Sequence, residues 1–431
     1  MKFELKEYRF KSELRAVVVD NIGGAYVPIA HRMSDFFDKV YYHSVNQSPF
    51  PRISLDKIGI GYDDIERLDD FWSSLSLFDV VIFTDIYFSD WGERLRKIGK
   101  LVWGGCQSDV IETDRKLFKD ELSNVGMLVA PTKYINGITD LLEYLKGSKD
   151  KWIKMSYYRG EMETFHHINW SQSQVWADDL KREMGPLGET VEFIIEDSID
   201  SIAEVGYDGY CINGIHPQSA LWGLEVKDCC YVGKQSLNSD MPQPVQYVNT
   251  TFSPVLQKYK HTGFYSTEIR YTKDGDSYYT DPCLRAGSPP SNTYLDMIDN
   301  WDDIIVEGAK GNVVEPKFRA KYGVEIILKS GHATDNYLPV SFDPKYSKNV
   351  KLKGSFYIND SNYIIPFKHA GIDMSEFGSV VVVGDDLPSI VNQALEIASN
   401  VECYGINYDN NALDKAMETL SKVEEALKIK F

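Results

Sequence analysis

The runs Ala16-Val-Val-Val19 and Val80-Val-Ile-Phe83 are apolar at every position. A strand without a polar face has to be buried on both sides, the condition of a parallel sheet covered by helices. The intervening sequence agrees. A Gly23-Gly24 turn and a helix through Phe37 follow the first run, and a second strand falls near Val40 to Tyr42. A helix around Trp91 to Ile98 then leads to a strand at Leu101 to Trp103. This alternation predicts an N-terminal α/β unit ending near Cys106. Gly23-Gly24 lacks GxGxxG spacing, which makes a dinucleotide oxidoreductase a poor match.

Beyond Cys106, SDVIETDRKLFKDELSNVG reads as one helix, with acidic and hydroxyl residues at its start and Gly126 past its end. Val129-Ala-Pro131 and a helical stretch from Gly137 to Leu145 come next. From Trp152 to about Trp301 the texture is strand-rich with Gly and Pro turns, which predicts a mainly antiparallel sheet. In the tail, GSVVVVGDDLPSIVNQALEIASNV reads as strand, turn and helix. A last helix sets Leu413, Met417, Leu420, Val423 and Leu427 on one face. The order is α/β, then α+β, then α/β again, without internal repeats.

Composition narrows the partners. A net charge of −18 over 431 residues opposes a nucleic-acid surface, which needs clustered Lys and Arg, yet leaves room for one small anion. The opening MKFELKEYRFKSELR has no apolar h-region, and runs such as Val380 to Val383 are too short to span a bilayer. The six cysteines (Cys106, Cys211, Cys229, Cys230, Cys283 and Cys403) form no CxxC pair, so a zinc site is not expected. The expectation is a cytoplasmic protein that binds neither nucleic acid nor membrane.

The stretch TEIRYTKDGDSYYTDPCLRAGSPP carries the chemistry. Asp274-Gly275 between two β-rich runs predicts a hairpin. A two-residue loop would pair Arg270 with Tyr279, Ile269 with Thr280 and Glu268 with Asp281. The two carboxylates would then stand about 5 Å apart. Either both lie on a solvated face or a cation sits between them. Arg285, two strand-steps further along, favours a metal-bridged phosphate site. Such a site needs further cations. Lys154 leaves a short apolar strand for a polar loop through Arg159, Gly160 and Glu161, and Lys116 shares a helical face with Lys119.

This order of elements resembles the ATP-grasp superfamily, and within it phosphoribosylamine–glycine ligases. The likeness runs from about Ala16 to Lys310. It implies an N-terminal Rossmann-like α/β domain over 1–108 and an ATP-grasp domain over 109–310, with a small lid subdomain inside 109–200. A C-terminal α/β subdomain would cover 311–431. Lys116 and Lys154 look like the lysines that hold ATP phosphates. Glu196 looks like the hinge residue beside adenine, Glu204 like the ribose-binding acid, and Lys227 like a further nucleotide contact. Glu268 and Asp281 match the Mg²⁺-binding (or Mn²⁺-binding) acids, and Arg285 matches the arginine that stabilises the transferred phosphoryl group. Cys283 stands where the family usually has a metal-binding Asn, and Gly287-Ser-Pro-Pro290 replaces a GDPE-like stretch. The resemblance implies an ATP-dependent carboxylate–amine ligase working through an acyl phosphate on small molecules, as a monomer or homodimer. A nucleotide sensor or scaffold with altered chemistry, and a phosphotransferase, stay open as alternatives.

Overall fold

The computed structural model describes residues 8, 10–21, 24–45, 55–155, 164–367 and 374–431. The N-terminal unit contains β1 (Arg15–Asp20), α1 (Val27–Ser34), β2 (Lys39–Ser44), β3 (Ile65–Arg67), β4 (Val80–Phe83), α2 (Ser89–Lys97) and β5 (Leu101–Trp103). Its five strands are parallel in the order β3-β2-β1-β4-β5. Ala16 and Val18 enter one apolar cluster, and Val17 and Val19 another, so β1 is buried on both faces as its sequence demands. The short Ile-Glu-Arg strand β3 carries no apolar run and was not legible beforehand.

The single helix expected after Cys106 is two. Asp114 leaves helical geometry (φ −115°, ψ 93°) and divides α3 (Asp109–Thr113) from α4 (Arg115–Asn124). Its carboxylate accepts from the Leu117 N–H and caps α4. The break separates the two helices at Asp114.

A small antiparallel sheet follows. It comprises β6 (Thr132–Asn136), α5 (Ile138–Lys146), β7 (Lys151–Met155), β8 (Thr164–His167), α6 (Trp170–Met184) and β9 (Glu192–Asp197), with strand order β6-β9-β7-β8. Leu141 and Leu145 of α5 and Ala177 and Leu180 of α6 pack against Ile153 and Phe193. The large sheet begins with β10 (Ser201–Cys211), β11 (Ser219–Val226) and β12 (Cys230–Leu237). After α7 (Gln243–Lys258) come β13 (Gly263–Thr272), β14 (Ser277–Cys283), α8 (Ser291–Met297), α9 (Trp301–Ala309) and β15 (Tyr322–Ser330). The region read as strand-rich therefore holds two long helices, α6 and α7. Val245, Val248, Thr250, Thr251 and Pro254 give α7 its strand-like texture, while its buried stripe decides the outcome.

The tail supplies β16 (Leu338–Val340), β17 (Val350–Leu352), β18 (Ser355–Ile358), β19 (Ser361–Ile364), β20 (Ser375–Gly384), α10 (Leu387–Asn400), β21 (Ile406–Asn407) and α11 (Ala412–Leu427). The large sheet runs β14-β13-β10-β11-β12-β15-β20-β17, with β21 on β15, so the tail and the centre share it. On α11, Leu413, Leu420 and Val423 are buried, and Met417 and Leu427 pack against the same core. Among the described residues no helix is long and apolar enough to cross a membrane.

One row of this sheet shapes the site. Gly206, Gly223, Gly233 and Gly323 lie side by side across β10, β11, β12 and β15. A Cβ at Gly223 would come within 2.2 Å of the Tyr231 hydroxyl, and one at Gly323 within 2.4 Å of Thr293 Cγ2. The glycines let Tyr231 lie flat on the sheet and let α8 approach it.

Candidate active site

The β13–β14 hairpin reaches the expected pairing by an unexpected route. Its loop has three residues, not two: Thr272 N donates to Asp276 O (2.9 Å), Gly275 N donates to Thr272 O (3.1 Å), and Gly275 sits at φ +91°. The longer loop slips the register by one, so Ile269 faces Tyr279 and Arg270 faces Tyr278. A bulge at Thr280 then restores it, and Glu268 faces Asp281. The Thr280 hydroxyl donates to the Glu268 carbonyl and carboxylate, both at 3.1 Å.

Opposite this hairpin stands the small sheet. Lys154 on β7 is 2.9 Å from Asp281 Oδ2 and 3.5 Å from Glu196 Oε2. Arg115 of α4 reaches Asp281 Oδ1 at 3.0 Å, and Lys119, one turn on, reaches Glu196 Oε1 at 2.5 Å. Three cations and two carboxylates thus close the gap between the sheets. Burial pulls the Lys154 ammonium down, but Asp281 and Glu196 outweigh it and hold its pKa above the ordinary value. Burial alone would raise Glu196, yet Lys154 and Lys119 keep it below the usual carboxylate range. Both groups stay charged at neutral pH.

The large-sheet face beside them is crowded with acid. Burial first, then Asp281 and Glu204, raise the Glu268 carboxyl to about 7. Glu225 is exposed as a residue, yet protein around its carboxyl and the neighbouring Glu268 and Glu204 raise it to about 8. Two hard oxygen donors on neighbouring strands, under this repulsion, suit a divalent cation. Among the described residues no group of three or more His, Cys, Asp or Glu side chains could hold a metal.

Of the residues singled out from sequence, Lys154, Glu196, Glu268 and Asp281 come together. Lys116 does not join them: it is exposed, with Nζ 5.4 Å from the Tyr134 ring centre. Lys116 and Lys119 are both on α4, but Lys116 stands one residue off the stripe that the helix turns inward. Arg115, Phe118, Lys119 and Leu122 then form the inward stripe. That spacing from Phe118 and Leu122 was the available signal for Arg115. Glu204 is exposed on the same large-sheet face and lies 3.4 Å from Arg270 Nε. Lys227 is exposed in the turn after β11.

Arg285 does not continue the strand face, because β14 ends at Cys283. Its side chain turns to the carboxyl ends of the N-terminal sheet, where Nε donates to Glu112 (3.0 Å) and Nη1 to the Tyr26 hydroxyl (2.9 Å). Asp85 lies 3.6 Å from Nε. Glu112 also accepts from Leu284 N at 2.6 Å. Glu112 and Tyr26 had no signal in the sequence, since only the fold brings them to Arg285. The loop with Arg159, Gly160 and Glu161, and also Gly23, lie outside the described residues.

The space between Lys154, Arg115 and Asp281 amounts to about 10 Å³, too little for a ligand while the ion pairs stand. A roomier cleft of about 300 Å³ opens at the hairpin tip, but Asp197, Asp200, Asp274 and Asp276 line it against the single cation Lys273. Phosphates would be repelled there.

Solved structures share this architecture. Phosphoribosylamine–glycine ligase from Thermotoga maritima superposes with a TM-score of 0.67 at 14% identity, covering 92% of this chain and 99% of that one. The biotin carboxylase domain of 2-oxoglutarate carboxylase from Hydrogenobacter thermophilus, in complex with MgADP, ADP and bicarbonate, gives 0.62 at 9%, covering 96% and 99%. L-Amino acid ligase from Bacillus licheniformis gives 0.59 at 13%, covering 92% and 99%. The fold is that of the ATP-grasp enzymes. No protein-family model matches the sequence, and no curated protein matches it.

Proposed function

We propose that this chain is an ATP-dependent ligase that joins a carboxylate to an amine in the cytoplasm. The observation that carries the reading is the meeting, between two sheets, of Lys154 and Arg115 with Asp281, the cross-strand partner of Glu268, and of Lys154 and Lys119 with Glu196. In the ligand-free arrangement, carboxylates occupy the three cations. ATP phosphates, being stronger anions, take their place, with Lys154 and Arg115 as the principal contacts. Mg²⁺ or Mn²⁺ held by Glu268 and Asp281 would neutralise charge on the phosphates. Glu196, Glu204 and Lys227 remain the candidates for the nucleoside end.

An oxygen of the acceptor carboxylate attacks the γ-phosphorus, the bond to the bridging oxygen breaks, and ADP leaves. An amine then attacks the acyl carbon, phosphate departs, and the nitrogen loses a proton to give the amide. Arg285 stabilises charge on the phosphorylated acceptor. Catalysis is positioning and electrostatics, with no protein nucleophile. Glycine with phosphoribosylamine is one pair to try, given the fold likeness to that ligase.

The test supplies Mg-ATP, a panel of small carboxylates and hydroxylamine as a trapping amine. Hydroxamate formed in step with ADP supports the ligase. A phosphorylated product that hydroxylamine does not convert points to a phosphotransferase. Mg-ATP binding without any turnover points to a sensor.

A further inference from the structure

One buried hydroxyl beside the cleft has no use in the fold. Tyr294 of α8 is fully buried, and its ring packs 6.0 Å from both Phe264 and Trp301. Among the described residues its hydroxyl has no hydrogen-bond partner. Burying an unpaired phenol is destabilising, and Phe would fill the same space without that penalty.

Phe264, Ser266 and Glu268 alternate along one face of β13. Ser266, 6% exposed and also without a partner of ordinary hydrogen-bond geometry, faces Asp208 on one side and Cys283 on the other. Tyr294 packs in one cluster with Tyr26 and Ala286, and the Tyr26 hydroxyl accepts from Arg285 Nη1 and donates to the Ala286 carbonyl. The polar spot therefore lies one strand position from the Glu268–Asp281 pair. Arg285 spends Nε on Glu112 and Nη1 on Tyr26 and the Ala286 carbonyl. Among the described residues no hydrogen bond uses its Nη2.

From this geometry we infer that Tyr294 and Arg285 Nη2 are the two donors that grip the acceptor's carboxylate, with Ser266 and Cys283 as the floor. The inference rests on the ligase reading and adds the residues that choose the acceptor. Phe264, Trp301 and Tyr26 wall the spot with aromatic rings, so the acceptor is a small carboxylate. Cys283 then has a place beside the acceptor: a compact thiol leaves room where a longer amide would intrude.

Tyr294→Phe tests this in the full-length protein by two routes. In the hydroxamate assay, KM for the best small carboxylate rises about tenfold or more, as for loss of a hydrogen bond to a charged group, while KM for ATP stays within about twofold. In thermal unfolding without nucleotide, saturating acetate raises the midpoint of wild type but not of the variant. The ligand-free variant itself melts higher than wild type. An unchanged carboxylate KM, equal acetate shifts in both proteins, or a lower-melting variant would each overturn the subsite. If wild type forms no hydroxamate at all, the ligase reading fails, and the acetate shifts still decide whether Tyr294 binds a carboxylate.

Discussion

Burial, Asp281 and Glu204 raise the Glu268 carboxyl to about 7, and Glu225 is raised to about 8. An unfolded chain would release these protons near the ordinary glutamate value, about 4.3. Between that value and their raised ones these two groups bind more protons in the folded protein than in the unfolded chain, so their contribution to stability falls as pH rises through the window and levels off above about 8, while buried His216 and His261, held down to about 4, act the opposite way below about 6.5. Glu268→Gln removes part of the slope. The variant melts higher than wild type at pH 8 in the absence of nucleotide, while Mg-ATP turnover drops at least a hundredfold; thermal melts at pH 5 and 8 and ADP release check both. At this scale the sequence was partly legible. Lys154 and the acids belong to short motifs that can be read in a row. Arg115 was masked by Lys116 beside it, because the buried stripe of Phe118 and Leu122 on α4 decides which of the two faces inward.

The β13–β14 hairpin shows how two local irregularities combine. The three-residue loop shifts the strands by one, and the Thr280 bulge shifts them back. Deleting Thr280 takes out the unpaired residue and leaves Asp281 opposite Glu268 in a regular ladder, so ADP release in this variant and in Thr280→Ala stays within about threefold of wild type, the worth of one neutral hydrogen bond. The Asp274-Gly275 signal foretold a hairpin, but neither loop length nor bulge leaves a reliable trace in residue order. The glycine row is similar, since each glycine reads as a turn or an accident until the strands are aligned. In Gly323→Ala the new Cβ would lie 2.4 Å from Thr293 Cγ2 and 2.9 Å from Met297 Sδ. α8 must shift, and equilibrium denaturation should register a loss of about 1–3 kcal/mol.

At the scale of the molecule, the site exists because two sheets face each other and a third unit supplies the holder of Arg285. The alternating texture foretold the parallel N-terminal sheet, and strand-rich composition foretold the large antiparallel one. That tail strands β15, β17 and β20 join the central sheet was not legible, because pairing partners so distant in sequence carry no mutual mark. The ion pairs that span the sheets leave about 10 Å³ between them, so under the proposed function a nucleotide would have to part the sheets or displace the carboxylates. Equilibrium binding of Mg-ADP to wild type, Arg115→Gln, Lys154→Gln and Lys116→Gln tests this account most directly. Arg115→Gln and Lys154→Gln are expected to weaken binding at least tenfold each, the loss of a charge-assisted contact of about 1.5–3 kcal/mol, while Lys116→Gln stays within about twofold. Wild-type affinity in the first two variants, with the loss appearing in Lys116→Gln, would contradict it.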